Sequence, residues 1–462
     1  MCKTQATVEK KSWLNHLDGF FEGKIYPLLV CLLVLAGHIT SLELWLSIPN
    51  VLLVAVALVR GRSIRPFLPF ALTLIYSVST EHGPGTPNYS DYYFTGYRLP
   101  IVIILFAIIF GAMTIFAMKN RIFRDINLLK TPLLLPLIIL SAAFLLNGAF
   151  SGNWDFSDLL MGFCEALIYT ALYLFFYFAI RGENREKLID YIVYIGGVVA
   201  VLLILECGAL FITSDGIFEG GSIVKEQVLL GWGIWNTVGV SLVVLIPLLF
   251  LGYLRSRYGL WYLGLASLTL LSAALTQSRN AILFGGIVYV ICLGISLFYG
   301  KRRLHSVIFL GVILVAFGLA DAFLGGKIAS LIGDVLSRGF SDNGRFELWA
   351  EGIEGFLSAP IFGRGFFTSV SDSANFLPTM VHQTFVQILS AMGIFGLLAY
   401  LYYRVASLLP LFKKPSLDMT MLALSVGVLL AESLLDNFIF YFIPIILYSL
   451  LMSVIHRDTW ES

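Results

Sequence analysis

Residues 259–325 read GLWYLGLASLTLLSAALTQSRNAILFGGIVYVICLGISLFYGKRRLHSVIFLGVILVAFGLADAFLG. Three apolar runs, 259–278, 281–299 and 305–325, are separated only by short polar joints at Ser278-Arg279-Asn280 and Lys301-Arg302-Arg303. Each is long enough to cross roughly 30 Å of hydrocarbon as a helix rising about 1.5 Å per residue. The same texture extends in both directions. Apolar stretches fall near 25–42, 43–59, 66–80, 100–118, 132–150, 158–180, 188–213 and 232–254 on one side, and near 383–403, 418–434 and 437–455 on the other, fourteen in all. The expected fold is an all-α polytopic membrane protein with about 12–14 transmembrane helices.

One segment breaks the texture. Residues 326–381 are polar, carry Arg338, Arg345 and Arg364, and hold Phe346, Trp349, Phe362, Phe366 and Phe367. Loops of such length are either functional or disordered, and this aromatic content does not suit a disordered linker. The chain therefore divides into transmembrane helices over 1–325, an extracytoplasmic helical cap over 326–381, and further transmembrane helices over 382–462. Two shorter outer loops, 81–99 and 214–231, are placed to cover a site from the side.

Composition agrees: of 462 residues 58% are hydrophobic and 13% charged, mean hydropathy is +0.87, and net charge is +1. This is a multi-span membrane composition with no nucleic-acid footprint. Cys31, Cys164, Cys207 and Cys292 lie in apolar segments and Cys2 near the start, which is neither a disulfide framework nor a CxxC metal site. The first residues are polar and charged through Lys24 and the first apolar stretch lacks a small-residue cleavage site, so no removable signal peptide is expected.

Basic residues set the orientation, because basic loops stay cytoplasmic. With the N-terminus inside, 23 of the 30 lysines and arginines fall on the cytoplasmic side, Arg404 and Arg457 among them. Seven oppose the rule: Arg98, Lys225, Arg279, Lys327, Arg338, Arg345 and Arg364, four of them in the long loop. Those seven call for an explanation.

Arg279 stands in Thr276-Gln277-Ser278-Arg279-Asn280, at the outer junction of two spans. An arginine at a helix end can snorkel. A guanidinium facing a cavity there also suits a bidentate grip on phosphate. Phe346, Trp349, Ile353 and Leu357 recur at helical spacing behind Arg345, predicting an amphipathic surface helix in which Arg345 pairs with Glu347 or Glu351, anchors to lipid headgroups or binds an anion. The helix ends before Pro360, and Gly363-Arg364-Gly365 makes a tight turn expected to offer backbone amides to an anion. His382 then opens His382-Gln383-Thr384-Phe385-Val386-Gln387; of six histidines only His82 and His382 lie in outer loops. A histidine at a helix mouth is commonly a structural hydrogen-bonder, but beside an anion site a neutral imidazole is suited to deprotonating a hydroxyl. No spacing recommends a metal site, and no cofactor is expected. The intramembrane Glu165 and Glu206, with Glu432 and Asp436 near the end of the last helix pair, form a rival signal, since ionisable groups in spans often mark ion pathways. No pair of broken helices in matching halves is evident to support that reading.

Ser278-Arg279-Asn280-Ala281, then Arg345 through Trp349, then Pro360 through Gly365, then His382 through Gln387 with Gly393 and Gly396, resemble in order and spacing the O-antigen ligase and O-antigen polymerase family of bacterial envelope glycosyltransferases. The resemblance covers roughly Leu230 to Arg404. It departs from the family pattern at Asn280, where glycine is common, and at Gln383, where asparagine is common. The resemblance implies an inverting, metal-independent enzyme of the bacterial plasma membrane, with its site facing outside. Its partners would be an undecaprenyl-diphosphate-linked glycan and a glycan acceptor, either the lipid A core of a lipopolysaccharide or a lipid-linked repeat unit, within the membrane lipids. Carried over by residue, His382 would be catalytic, Arg279, Arg345 and Arg364 would hold the diphosphate, and Ser278, Gln383, Gln387 and Trp349 would support them. Expelling a lipid diphosphate needs growing negative charge stabilised, which arginines can do. A polytopic peptidoglycan glycosyltransferase would more naturally use an external carboxylate, and a transporter or flippase of lipid-linked glycans would depend on Glu165 and Glu206.

Overall fold

The computed structural model describes residues 17–74, 93, 95–124, 131–152, 154, 156–213, 218–219, 222–224, 227–230, 234–300, 303–323, 325–326, 329–330, 333, 345–366, 381–412, 416–440 and 442–460. Arg338, Lys327, Lys225, His82 and Phe367 lie outside the described residues, as does most of the cap loop around the helix at 345–358. The chain forms two compact units, the first from residues 1–124 and 182–335, the second from 125–181 and 336–462.

The first unit holds α1 (Ile25–Thr40), α2 (Glu43–Arg60), α3 (Phe67–Thr73), α4 (Arg98–Lys119), and, after the second unit's first pair α5 (Leu134–Leu145) and α6 (Phe156–Ile180), α7 (Arg185–Thr213), α8 (Trp235–Arg255), α9 (Gly259–Leu275), α10 (Arg279–Tyr299) and α11 (Arg303–Phe323). Helix α8 is apolar all round and is the unit's buried centre, packed among α7, α9 and α10. Helix α11 is almost wholly exposed, as suits a lipid-facing helix. Between α7 and α8 a short antiparallel ladder pairs Phe218 with Ile223 and Glu219 with Ser222. The basic turns gather: Arg65 pairs with Glu22 at 2.8 Å and Glu183 at 3.3 Å, Arg60 with Asp18 at 3.1 Å, and Lys119 Nζ donates to the Val59 carbonyl at 3.0 Å.

The second unit holds α5 and α6 with α12 (Arg345–Ser358), α13 (Thr384–Leu408), α14 (Leu417–Leu435) and α15 (Phe442–Trp460). Nine helices among the described residues are long and apolar enough to span a membrane, and four apolar helices of 10–17 residues accompany them. The stretch read as a span over 132–150 is helical only over Leu134–Leu145, because the chain then turns through Asn147 and Gly148, the latter at φ +67°. Arg404, on the side read as cytoplasmic, and His456 are buried within the second unit. Arg404 lies over the rings of Tyr400, Tyr403 and Tyr448 at 4.8, 5.2 and 4.4 Å and donates to the Tyr169 hydroxyl at 3.4 Å. His456 bridges the Tyr173 hydroxyl at 2.6 Å and the Ser407 carbonyl at 2.9 Å. A charge near a helix end in sequence still faces inward when aromatic rings and hydroxyls line that face.

Helix α13 is broken at Gly393, which sits at φ +64°, ψ −163°. A break in a membrane helix frees backbone groups that hydrocarbon cannot hydrate. Here residues 360–365 run past the break and satisfy them. The amides of Ile394 and Phe395 donate to the Pro360 and Ile361 carbonyls at 2.9 and 3.1 Å, and those of Arg364 and Gly365 donate to the Ser390 and Ala391 carbonyls at 2.8 and 3.1 Å. The hook is held from its other side by Gly148, whose amide donates to the Phe362 carbonyl at 2.9 Å, and by Asn147, whose Oδ1 accepts from the Phe366 amide at 3.2 Å. Gly363 has φ +68°, and a Cβ there would lie 2.2 Å from the Ala391 carbonyl carbon. Gly152 has φ +80° but open space around its Cβ position. Gly152→Ala should therefore cost about 1–2 kcal/mol for the left-handed backbone alone, whereas Gly363→Ala must also displace the hook. Thermal unfolding of the detergent-purified protein, followed by size-exclusion, should show a clearly larger drop in melting temperature for Gly363→Ala; equal drops would refute the clamp.

Candidate functional site: a histidine–aspartate pair beside an arginine

Helix α13 begins at Thr384, and its N-cap is Gln383, whose Oε1 accepts from the Val386 amide at 2.6 Å. Directly before the cap, His382 takes a left-handed φ of +53°, which turns its side chain off the helix path. That conformation is uncommon for a non-glycine residue and is held here by its neighbours. Gln387, one turn into the helix, accepts from the Val381 amide at 2.8 Å and from Asn437 Nδ2 at 3.2 Å. Thr384 Oγ1 donates to the Ser433 carbonyl at 2.5 Å. These bonds tie the mouth of α13 to the end of α14.

After Leu435 the chain leaves α14 in an extended residue, Asp436, at φ −152° and ψ 174°. Asp436 Oδ1 accepts from the Asn437 amide at 2.8 Å and lies 3.0 Å from His382 Nδ1. The Asp436 side chain is 3% exposed and that of His382 35%. A buried carboxylate on Nδ1 fixes the neutral ring in the tautomer with its proton on Nδ1. The lone pair then sits on Nε2.

Arg345, the first residue of α12, donates from Nη1 to the Leu435 carbonyl at 3.0 Å, one residue before Asp436. It caps an orphan carbonyl of α14 rather than pairing with Glu347 or Glu351, and a cation is favoured at that end of a helix. One turn on, Trp349 packs edge-on against Phe346 at 5.2 Å, and its indole N–H has no hydrogen-bond partner among the described residues. The face of α12 that packs on α13 is glycine: a Cβ at Gly352 would meet Val386 at 2.6 Å, and one at Gly355 would meet Arg364 Nε at 2.4 Å. The expected apolar face stays open, with Phe346 and Leu357 exposed, as a helix lying on a membrane surface requires.

The expectation that the Gly363-Arg364-Gly365 turn offers its amides to an anion fails. All three are taken, by the Ala359, Ser390 and Ala391 carbonyls. The last two close the break in α13, which hydrocarbon makes the more urgent demand. The Arg364 side chain faces a small pocket shared with Glu351, Gln387 and Ser390, and its Nε has no partner among the described residues.

Arg279 and Ser278 belong to the first unit. Ser278 is the residue before α10, Arg279 its first residue, and Thr276, Gln277 and Ser278 are buried in a tight turn with Gln277 at φ +58°. Thr276 Oγ1 donates to the Ala273 carbonyl at 2.7 Å and accepts from the Ser278 amide at 3.3 Å. Gly239 of α8 lets the turn approach, since a Cβ there would come 2.7 Å from Ala281 Cβ. Arg279 is thereby fixed at the positive end of a helix, a favourable place for an anion.

Sequence reasoning put Asp436 among the ion-pathway signals and missed it as the partner of His382; its place just past the end of a helix was the available clue. Asn147, which bridges the hook to the Asp158 carbonyl at 2.8 Å, carried no signal.

Residues 264–401 match the O-antigen ligase family. The matched segment includes Ser278, Arg279, Arg345, Trp349, Arg364, His382, Gln383 and Gln387 and stops short of Asp436. No curated protein matches the chain. Nitrogen-15 labelling of histidine, with His382→Gln to assign the resonance, should find neutral His382 protonated on Nδ1, and Asp436→Ala should shift it toward the other tautomer. An unchanged spectrum in Asp436→Ala would show that the aspartate does not set the ring.

Proposed function

On the premise that residues 264–401 are an O-antigen ligase family segment, which supports a glycosyltransferase-type membrane enzyme, we propose that the chain moves a glycan from an undecaprenyl-diphosphate carrier to an acceptor sugar hydroxyl. The observation that carries the reading is the His382–Asp436 pair, with Arg345 anchored one residue away on Leu435. In the proposed step Nε2 of His382 takes the proton of the acceptor hydroxyl as its oxygen bonds to the anomeric carbon. The bond from that carbon to the diphosphate oxygen breaks, and its electron pair leaves on the diphosphate. Attack from the face opposite the leaving group inverts the anomeric centre. Asp436 stabilises the imidazolium until its proton passes to solvent. Arg345 stabilises the charge growing on the leaving group, a task that fixed cations perform without reorganising.

Arg364 is proposed as a second ligand of the diphosphate, with Trp349 offering its indole N–H to the substrate; Arg279, in the first unit, is proposed as a phosphate ligand on the resemblance alone. Ser278, Gln383 and Gln387 act by holding the backbone that presents these groups. The arginines that oppose the basic-residue rule favour a site on the outer face of a bacterial plasma membrane. The acceptor is either a lipid A core, as for a ligase, or another lipid-linked repeat unit, as for a polymerase.

A second reading, transport or flipping of lipid-linked glycans, draws on Glu206, which is fully buried with neither carboxylate oxygen hydrogen-bonded among the described residues. Purified protein in lipid, given an undecaprenyl-diphosphate glycan and candidate acceptors, separates the two. His382→Ala should lower turnover by about 10²–10⁴ and Arg345→Ala by about 10²–10³, Arg279→Ala should also impair it, Glu206→Gln should retain it, and a chelator should leave it unchanged. Lipid movement across vesicles without any glycosidic product would overturn the enzyme reading; full activity in well-folded His382→Ala would remove the base assignment.

A further inference from the structure

In the first unit, α1 and α9 both pack along α7 and leave between them a trough of about 330 Å³. Its walls are Leu32 of α1, Val201 and Leu205 of α7 and Leu265 of α9, with Tyr194 and Trp261 at one end. The floor is tight: a Cβ on Gly197 would come 3.1 Å from Tyr262 Cε1. Leu32, Val201 and Leu205 are all exposed along the trough. An unfilled apolar trough forfeits dispersion contacts along its whole length, so a flexible chain of matching length gains by entering it.

Length and charge identify the chain. From Tyr194 to Leu205 a helix rises about 16 Å, close to half of a hydrocarbon core of roughly 30 Å. The trough thus runs from one interface to about the midplane, the reach of a single leaflet's acyl chain and much shorter than a long polyprenyl tail. Its aromatic end is the interfacial one, where tyrosine and tryptophan collect. There Tyr194 donates its hydroxyl to the Lys24 carbonyl at 2.8 Å, and the Lys24 ammonium lies 5.6 Å over the Tyr194 ring. Two carboxylates of α7 share this end, Glu186 and Asp190, and both are held by Arg255, at 2.6 and 2.8 Å. Lys24 makes no ion pair among the described residues, which leaves a cation at the mouth of an apolar trough.

We propose that this trough is a binding site for one acyl chain of an anionic phospholipid, whose headgroup phosphate meets Lys24. The site is independent of the catalytic reading. The Lys24 end is the one that the basic turns assign to the cytoplasmic leaflet.

The test uses full-length protein in nanodiscs doped with phosphatidylglycerol or phosphatidylcholine carrying a photoactivatable diazirine in mid-chain, with adducts mapped by peptide mass spectrometry. Phosphatidylglycerol adducts should concentrate on residues 28–35 and 194–205 and exceed those on α11, which samples bulk lipid. Val201→Trp, which fills the trough from its lipid side, should abolish that excess, while Leu314→Trp on exposed α11 should not. Lys24→Ala should lower phosphatidylglycerol labelling about fivefold, the equivalent of the roughly 1 kcal/mol of one basic residue at an anionic surface, and lower phosphatidylcholine labelling clearly less, because choline offsets the phosphate charge. Labelling no greater than on α11, labelling that survives Val201→Trp in a monodisperse protein, equal effects of Lys24→Ala on both lipids, or displacement by undecaprenyl phosphate at equal mole fraction would each overturn the proposal.

Discussion

A backbone amide inside hydrocarbon has no water to turn to, and the second unit is arranged around that constraint. Helix α13 opens at Gly393, and the segment 360–365 supplies the carbonyls and amides that close the opening. The segment cannot drift, because losing those bonds would leave several polar groups bare in an apolar medium. An otherwise peripheral loop is therefore anchored at membrane depth. Beyond it Phe366 packs against Phe144 and Phe440 at 6.3 and 5.8 Å, and before it the glycine face of α12 lies flat on α13.

The consequences reach the polar site by short covalent distances. Fixing α12 on α13 sets the position of Arg345 at its first turn, where the end of α14 offers the Leu435 carbonyl. Fixing the mouth of α13 through Gln383, Thr384 and Gln387 sets His382, and the extended exit from α14 brings Asp436 onto its Nδ1. The buried Asp436 and the half-exposed His382 thus meet where the mouth of α13 and the end of α14 converge, and Arg345 bonds the neighbouring Leu435 carbonyl. Arg345 is held by a backbone carbonyl and His382 by a buried side chain, a preorganisation of the kind the proposed step calls for.

Much of the architecture was legible. Long apolar runs with basic joints identify membrane helices because the bilayer leaves so few alternatives, and helical spacing from Phe346 to Leu357 marked α12 correctly. His382 and Arg345 were legible as candidates because polar groups in an apolar chain are few. What escaped was long-range. Asp436 lies 54 residues from His382, and nothing in the local pattern pairs them. The turn at Gly363 to Gly365 was read as an anion nest from local geometry, but the broken helix competes for the same amides and wins. The burial of Arg404 is long-range too, since the tyrosines around it come from α6, α13 and α15.

The central claim is that His382, oriented by Asp436, accepts the proton of an acceptor hydroxyl while arginines hold a departing diphosphate. Its most direct test is a cryo-electron microscopy structure of the full chain, inactivated as His382→Gln, with both an undecaprenyl-diphosphate glycan and an acceptor bound. The expected result places the acceptor hydroxyl within about 2.6–3.2 Å of the side chain at position 382, on the face of the anomeric carbon away from the diphosphate, and the diphosphate on Arg345. A diphosphate bound away from Arg345, or an acceptor approaching from a side that His382 does not face, would contradict it.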